Sequence, residues 1–281
     1  MNTHTGMKLS RLVLGLAYVW LVVSVQDTVR ANSIKVKNLN DSGSGSLRQA
    51  IADATTGDSI TFSIAGTIAL TSGRLTITRD LTIAGPDAAS LTISGNDASQ
   101  IFGVFGATVA ISGVTVSGGD AGAGQGGGIE NWGTLNLTDS VVSGNNARIG
   151  GGIYSAGTLN LARSTVSGNT AAQSGGGFYI NGGTTTLTDS TVNGNASTDS
   201  AGSFAGGGFH VGSGTVNLTR STVSGNSATS SIGGGIWVGT GGLVAVNSTI
   251  TGNSSAMHGG GIFDNSADWH TADIIDISTD D

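Results

Sequence analysis

Three consecutive glycines followed by Ile or Phe occur six times between residues 126 and 262, and this repeat constrains the fold more than any other feature. The strings begin at Gly126, Gly150, Gly175, Gly206, Gly233 and Gly259, so that successive intervals are 24, 25, 31, 27 and 26 residues. Between them, Val-Ser-Gly-Asn or a close variant ends at Asn145, Asn169, Asn195, Asn226 and Asn253. A period of this length is typical of solenoids, in which each repeat forms one coil stacked on the previous one.

Each period contains three short β-prone segments separated by glycine and asparagine. Side chains alternate along a strand, and strands of neighbouring coils lie about 4.8 Å apart, so equivalent apolar residues should form interior ladders. Three ladders are predicted: Ile129, Ile153, Phe178, Phe209, Ile236 and Ile262; Leu137, Leu161, Leu187 and Leu218; and Val142, Val166, Val192, Val223 and Ile250. With weaker repeats in residues 59–117, the pattern predicts an all-β, three-sheet parallel β-helix of about eight rungs over residues 32–263.

The recurring Asn that ends the second string is predicted to lie in a turn, because Asn tolerates the left-handed backbone conformation. Stacking of the coils would place each of these amides next to the same amide one rung away, where the two can form a hydrogen bond. We therefore expect the Asn series to have a structural role rather than a ligand-binding one.

A short helix is predicted at residues 46–54, before the first coils. Ser46 and Gln49 have the spacing of a capping box, and Leu47, Ala50, Ile51 and Ala54 fall on one helical stripe. Because the end of a solenoid exposes its core, we expect this helix to cap the amino-terminal end.

Residues 1–31 have the pattern of a secretory signal peptide, since Lys8 and Arg11 precede the apolar run from Leu12 to Val25. That run is shorter than the roughly 20 residues of a membrane-spanning helix, so no membrane span is expected in the mature chain. We expect a secreted or cell-surface protein, with residues 264–281 as an acidic, solvated tail. The net charge of −7 argues against nucleic acid as a partner.

The stretch Asn-Asp-Ser-Gly-Ser-Gly-Ser-Leu-Arg-Gln-Ala-Ile, from Asn40 to Ile51, and the later glycine-rich coils resemble bacterial proteins of the pectin-lyase-like superfamily. This resemblance implies a right-handed parallel β-helix. The Gly-Gly-Gly-Ile strings are also similar to the repeats of polymorphic outer-membrane proteins, which are surface adhesins. That second likeness implies an adhesion role.

An enzyme is an alternative, because the same fold resembles that of pectate lyases and polygalacturonases. Glycoside hydrolysis requires two carboxylates about 5–10 Å apart, and Asp139 and Asp189 occupy the same repeat position two rungs apart. However, Arg163 lies between them and Arg220 follows, so the series should form ion pairs along a corner. We therefore predict no catalytic residues, no metal site and no cofactor.

The residue after each Gly-Gly-Gly-Ile or Gly-Gly-Gly-Phe string should face outward, since alternation places it opposite a buried residue. After Glu130, this position holds aromatic or imidazole side chains: Tyr154, Tyr179, His210, Trp237 and Phe263. An exposed row of rings predicts a binding surface for polysaccharide or cell-surface glycan. The alternative is that the rings stabilise one another without a ligand.

Together these features predict an exported, surface-associated or secreted β-helix scaffold that is non-catalytic and has a binding or adhesion role. The alternative functions are a polysaccharide lyase or glycoside hydrolase of the same fold, and a purely structural sheath.

Overall fold

A computed structural model of the chain describes residues 31–198, 205–265 and 274–278. The signal peptide predicted for residues 1–31 lies outside the described residues, apart from Ala31. The single described helix is α1, Leu47–Asp53. The strands are β1 Ser33–Val36, β2 Asp58–Phe62, β3 Gly66–Ala69, β4 Leu75–Ile77, β5 Leu81–Ala84, β6 Leu91–Ser94, β7 Phe102–Ser112, β8 Thr115–Ser117, β9 Ile129–Thr138, β10 Val141–Ser143, β11 Asn146–Ile149, β12 Ile153–Ser155, β13 Thr158–Ala162, β14 Thr165–Ser167, β15 Thr170–Ser174, β16 Phe178–Thr188, β17 Thr191–Asn193, β18 Ala196–Ser197, β19 Phe209–Thr219, β20 Thr222–Ser224, β21 Ser227–Ala228, β22 Ile236–Val238, β23 Gly242–Thr251, β24 Ser254–Ser255, β25 Ile262–Asp264 and β26 Ile274–Ser278.

These strands form a parallel β-solenoid of about nine turns, which confirms the predicted fold class. The predicted number of about eight turns is smaller because the sequence pattern did not indicate β1 as a strand. β1 pairs in parallel with β2 and so begins the stack before the helix. At the other end, β26 pairs in parallel with β23, so part of the segment predicted as a solvated tail is a strand.

The three predicted ladders are present in the predicted register. Ile129 pairs with Ile153, Leu137 with Leu161, and Val142 with Val166, and the same pairings continue through the later coils. Nearly all of these side chains are buried in one continuous core. The Phe178 and Phe209 rings stack within it at 4.4 Å between centroids.

A fourth row of short strands, which the three-sheet prediction did not include, follows the Asn position in five successive coils. It comprises β11, β15, β18, β21 and β24, which form a separate five-stranded sheet. Its buried side chains are small, as at Ala147 and Ala171, because the glycine triplets pass very close to it. A Cβ added to Gly151 would lie 2.3 Å from the Thr170 carbonyl oxygen, so only glycine fits there.

The recurring Asn side chains form the predicted amide ladder. The Asn169 Nδ2 donates to Asn195 Oδ1 at 2.9 Å, and Asn195 donates in the same way to Asn226 at 2.9 Å. The predicted left-handed backbone at these Asn residues was wrong. The preceding glycines adopt it instead, with φ of 61° at both Gly168 and Gly194, because glycine has no Cβ to oppose that conformation. Because the glycine makes the turn, the side chains of Asn169 and Asn195 are buried and each reaches the equivalent Asn of the next coil.

The helix α1 caps the amino-terminal end, as predicted. Ser46 is its N-cap and accepts from the Gln49 N–H at 3.2 Å. Leu47 and Ala54 are fully buried. No helix in the described ranges is long and apolar enough to cross a membrane.

An ion pair fastens this helix to the first coils. The Arg48 guanidinium bonds the Asp41 carboxylate at 2.7 Å and donates to the carbonyl oxygens of Gly73 and Arg74. Burial tends to raise the pKa of Asp41, but hydrogen bonds from Ser72 and Arg48 outweigh it and lower that pKa to about 2. The carboxylate is therefore ionised over the whole ordinary pH range.

The amide ladder leads to a first prediction, for Asn195→Ala. The substitution removes a fully buried amide and leaves the donors of Asn169 without their acceptor. Because an unsatisfied buried polar group costs about 1–3 kcal/mol, we expect a loss of about 3 kcal/mol in the free energy of unfolding, measured by urea denaturation. Asn193→Ser is the matched control, since Asn193 is exposed and its register partners Ser167 and Ser224 are serine. Equal losses in both variants would contradict the ladder.

The Asp41 ion pair leads to a second prediction, in acid. A carboxylate whose folded pKa is lowered to about 2 adds stability above its unfolded pKa of about 3.9 and loses that contribution as the pH falls toward 2. Asp41→Asn should therefore be less stable than the parent at pH 6, and the difference should shrink steadily between pH 4 and 2. Melting temperatures of both proteins across this range test it, and a difference independent of pH would exclude the ion pair as its cause.

Candidate functional site

The predicted outward residues occupy one register position on successive coils and are here called the aromatic row: Tyr154, Tyr179, His210, Trp237 and Phe263. Tyr154 and Tyr179 stack at 5.7 Å between ring centroids, and His210 lies 4.3 Å from both Tyr179 and Trp237. Phe263 is the register partner of Trp237. The row follows the register of the coils, as the sequence predicted.

The predicted exposure was wrong for three of the five residues of this row, while Tyr179 and Phe263 are partly exposed. Tyr154, His210 and Trp237 are only 3%, 7% and 7% exposed, although none of them belongs to the hydrophobic core cluster. The rings from Tyr154 to Trp237 stack on one another, and those of His210 and Trp237 also lie close to the glycine two positions further along the strand. A Cβ on Gly239 would lie 2.5 Å from the Trp237 ring, which shows how closely the indole covers that glycine.

Stacking leaves the middle of the aromatic row with no free ring face. An aromatic side chain that holds a sugar uses the flat face of its ring, whereas the faces of His210 are occupied by Tyr179 and Trp237. The central rings of the row are therefore better suited to stabilising the solenoid than to binding a ligand.

The first coil of the row is different, because Glu130 takes the place of a ring there. Glu130 pairs in register with Tyr154 on one side and with Gly103 on the other. Its carboxylate accepts from Arg74 at 2.6 Å, from Gln125 at 2.8 Å and from the indole N–H of Trp132 at 2.9 Å. This carboxylate thus orients three side chains around it.

Arg74 reaches Glu130 across the space that Gly103 leaves open. Its guanidinium lies 4.9 Å above the centroid of the Phe105 ring. A Cβ on Gly103 would lie 2.7 Å from Phe105 and 3.3 Å from the Arg74 Nε, so a larger residue would displace this cation–π contact. Glycine at this position is therefore required by the arrangement of the site.

Trp132 is the aromatic residue that the sequence analysis missed. It is 45% exposed, and its ring is tilted by 41° against Tyr154 at 5.6 Å. Glu130 fixes the indole N–H, so the exposed part of the ring is held in place. We call Trp132, Phe105, Glu130, Arg74 and Gln125 the Trp132 platform.

The sequence contains a pattern that could have identified Trp132 as an outward-facing residue. It lies two residues after Glu130, and alternation puts both on the outward side. In the next four coils the equivalent position holds Ala156, Asn181, Gly212 and Gly239. In the last two of these coils the glycine is the residue over which the preceding ring folds, whereas Trp132 is too large to be covered and remains exposed.

The Glu130 carboxylate is ionised at neutral pH. Burial raises its pKa, but hydrogen bonds from Gln125 and Trp132, with the charge of Arg74, bring the pKa below its usual value. A carboxylate in this state accepts hydrogen bonds and cannot donate a proton. In the platform, Glu130 can position neighbours and accept from a ligand hydroxyl.

The charged corner forms as predicted. Arg163 binds both carboxylate oxygens of Asp139 at 2.7 and 2.8 Å, and Arg220 binds Asp189 with the same distances. The hydrogen bond from Arg163 is the main reason that the pKa of Asp139 is lowered, and Arg220 does the same for Asp189. Acid–base glycosidases need one carboxyl with a raised pKa, which neither of these two residues provides.

Among the residues that the structure describes, no group of three or more His, Asp or Glu side chains is placed to hold a metal ion. Most of the acidic terminal segment, including Asp268 and Asp273, lies outside those residues.

No protein-family model matches the chain, and no curated protein matches it. Because a parallel β-solenoid supports many functions, the function has to be inferred from the surface residues described above.

The aromatic row leads to a third prediction. Trp237→Ala should lower the free energy of unfolding by about 3 kcal/mol, because it removes a buried ring and leaves a cavity in the stack. Trp132→Ala is the matched control, with a much smaller expected loss since that ring is half exposed. Urea denaturation compares the two variants, and a row that serves only ligand binding would give equally small losses.

Proposed function

We propose that this chain is an exported, non-catalytic β-helix scaffold that binds carbohydrate through the Trp132 platform. The observation that carries the proposal is the half-exposed indole of Trp132, which a buried carboxylate holds beside the charged side chain of Arg74. The proposed carbohydrate surface therefore lies at the amino-terminal end of the aromatic row and not at its centre.

The chemistry of the platform suits a sugar ring. Pyranose rings have an apolar face that packs against indole, and their hydroxyl groups need partners around the edge. Around Trp132, the Arg74 guanidinium can donate and the Glu130 carboxylate can accept hydrogen bonds. Their side chains are 35% and 11% exposed, so a ligand on the indole would meet Arg74 first.

Export and adhesion are supported by the sequence. The pattern of residues 1–31 is that of a signal peptide. The stretch from Asn40 to Ile51 resembles bacterial β-helix proteins of the pectin-lyase-like superfamily. The similarity of the glycine-rich strings to repeats of outer-membrane adhesins favours attachment to a surface glycan. A secreted or cell-surface location belongs to the same proposal.

The lack of catalysis is proposed from the state of the carboxylates. Asp139 and Asp189 each pair with an arginine that lowers the pKa of the carboxylate, and Glu130 is the single carboxylate of the Trp132 platform. The platform therefore offers one ionised carboxylate, where glycoside hydrolysis needs an acid and a base or nucleophile.

The fourth prediction tests this function by substitution. The purified protein is tested for binding to a panel of immobilised polysaccharides, and Trp132→Ala should weaken binding to any responsive polysaccharide at least tenfold. Trp132→Phe should retain part of the affinity, because a smaller ring still packs against a sugar. Met257→Ala is the control, since Met257 is 59% exposed and lies outside the platform.

Two outcomes would contradict the proposal. Binding that is unchanged in Trp132→Ala would show that the platform is not the carbohydrate surface. Release of reducing ends or unsaturated products from a polysaccharide of the panel, lost in Asp139→Asn, would instead establish a hydrolase or lyase.

A further inference from the structure

A cleft of about 310 Å³ lies between α1 and β4, at the amino-terminal end of the solenoid. Three arginines line it: Arg48, Arg74 and Arg79. The rest of the wall is apolar or hydroxylic, from residues such as Ile51 and Thr76, and none of the lining residues is acidic. Three cations around one cleft are unusual in a chain whose net charge is −7.

Two of the three arginine charges are already balanced outside the cleft. Arg48 pairs with Asp41, and Arg74 pairs with Glu130. Arg79 donates to the carbonyl oxygen of Ala54, and no carboxylate among the described residues forms an ion pair with it. The cleft therefore retains about one uncompensated positive charge.

Both Arg74 and Arg79 have guanidinium N–H groups that donate to none of the described residues. Within the described part of the chain, each of them makes its hydrogen bonds through Nη1. The remaining guanidinium N–H groups are arranged as a planar fork, which matches the oxygens of a carboxylate or phosphate. Arg79 is also exposed, so a ligand can reach it.

We propose that this cleft binds an oxyanion, either a carboxylate or a phosphate group, and that Arg79 is its principal partner. The volume is at the lower limit of about 300 Å³ for ligand pockets, which suits a free anion or an anionic group carried by a single sugar. The hydroxyl of Thr76, which is exposed and lines the cleft, adds a further donor.

The cleft is a separate site from the Trp132 platform, although Arg74 borders both. Thr76, Gly103 and Glu130 are register partners on three successive coils. The cleft thus lies two coils before Glu130, which corresponds to about 10 Å along the axis. The proposal does not depend on carbohydrate binding at Trp132.

The test is calorimetric titration of the purified protein with glucuronate, inorganic phosphate and neutral glucose. We expect binding of at least one of the two anions and none of glucose. Binding of glucuronate alone identifies an anionic sugar as the source of the oxyanion, and comparable binding of phosphate identifies a free anion. Equal binding of glucose, or binding of none of the three probes, would overturn the proposal.

Variants assign the binding to the cleft. Arg79→Gln should weaken anion binding at least tenfold, and Thr76→Glu should do the same by placing a carboxylate in the cleft without altering the contact between Arg79 and Ala54. Arg148→Gln is the matched control, because it removes the same charge from an exposed arginine on another face. An equal loss in Arg148→Gln would show a general charge effect, and unchanged affinity in Thr76→Glu would exclude the cleft. Trp132→Ala should leave anion binding intact, so the two proposals fail independently.

Discussion

The register between neighbouring coils is the constraint on which the rest of the structure depends. Each coil has its apolar, amide and small residues at the same positions as the coil before it, so one parallel pairing satisfies the core and the buried polar groups together. A shift by one residue would turn each interior ladder outward, and it would separate Asn169 from Asn195. The Asn amides make such a shift costly, because they would remain buried without partners.

The same register determines what the surface can do. A ring on one coil lies next to the ring of the next coil, and this stacking occupies both ring faces of Tyr179 and His210. A binding surface can therefore arise where the series is interrupted. In this chain the interruption is Glu130, which fixes Trp132 and Arg74 at the point where the aromatic row begins. The arginine-lined cleft occupies the same row where the helix closes the stack.

The sequence was sufficient for features that depend on period and alternation. It predicted the ladder that contains Ile129, the capping helix and the pairing of Asp139 with Arg163, since each follows from residue spacing. It failed where backbone conformation or side-chain volume decides the outcome. Gly168 rather than Asn169 takes the left-handed turn, and the burial of the aromatic row depends on small residues two positions away. The Arg74 contacts join residues far apart in the sequence, so no local pattern could reveal them.

The register can be measured directly by disulfide trapping, since the chain contains no cysteine. The side chains of Asn136 and Asn160 are register partners and bond at 2.9 Å. In the double variant Asn136→Cys/Asn160→Cys, mild oxidation should therefore produce an intramolecular disulfide, detected by mass spectrometry after proteolysis. The control pair Asn136→Cys/Ala162→Cys places both residues on the same face but two residues out of register, roughly 8 Å apart, beyond the reach of a disulfide. A disulfide in the first pair alone is the result expected for this stacking, and a disulfide in the control pair alone would contradict it.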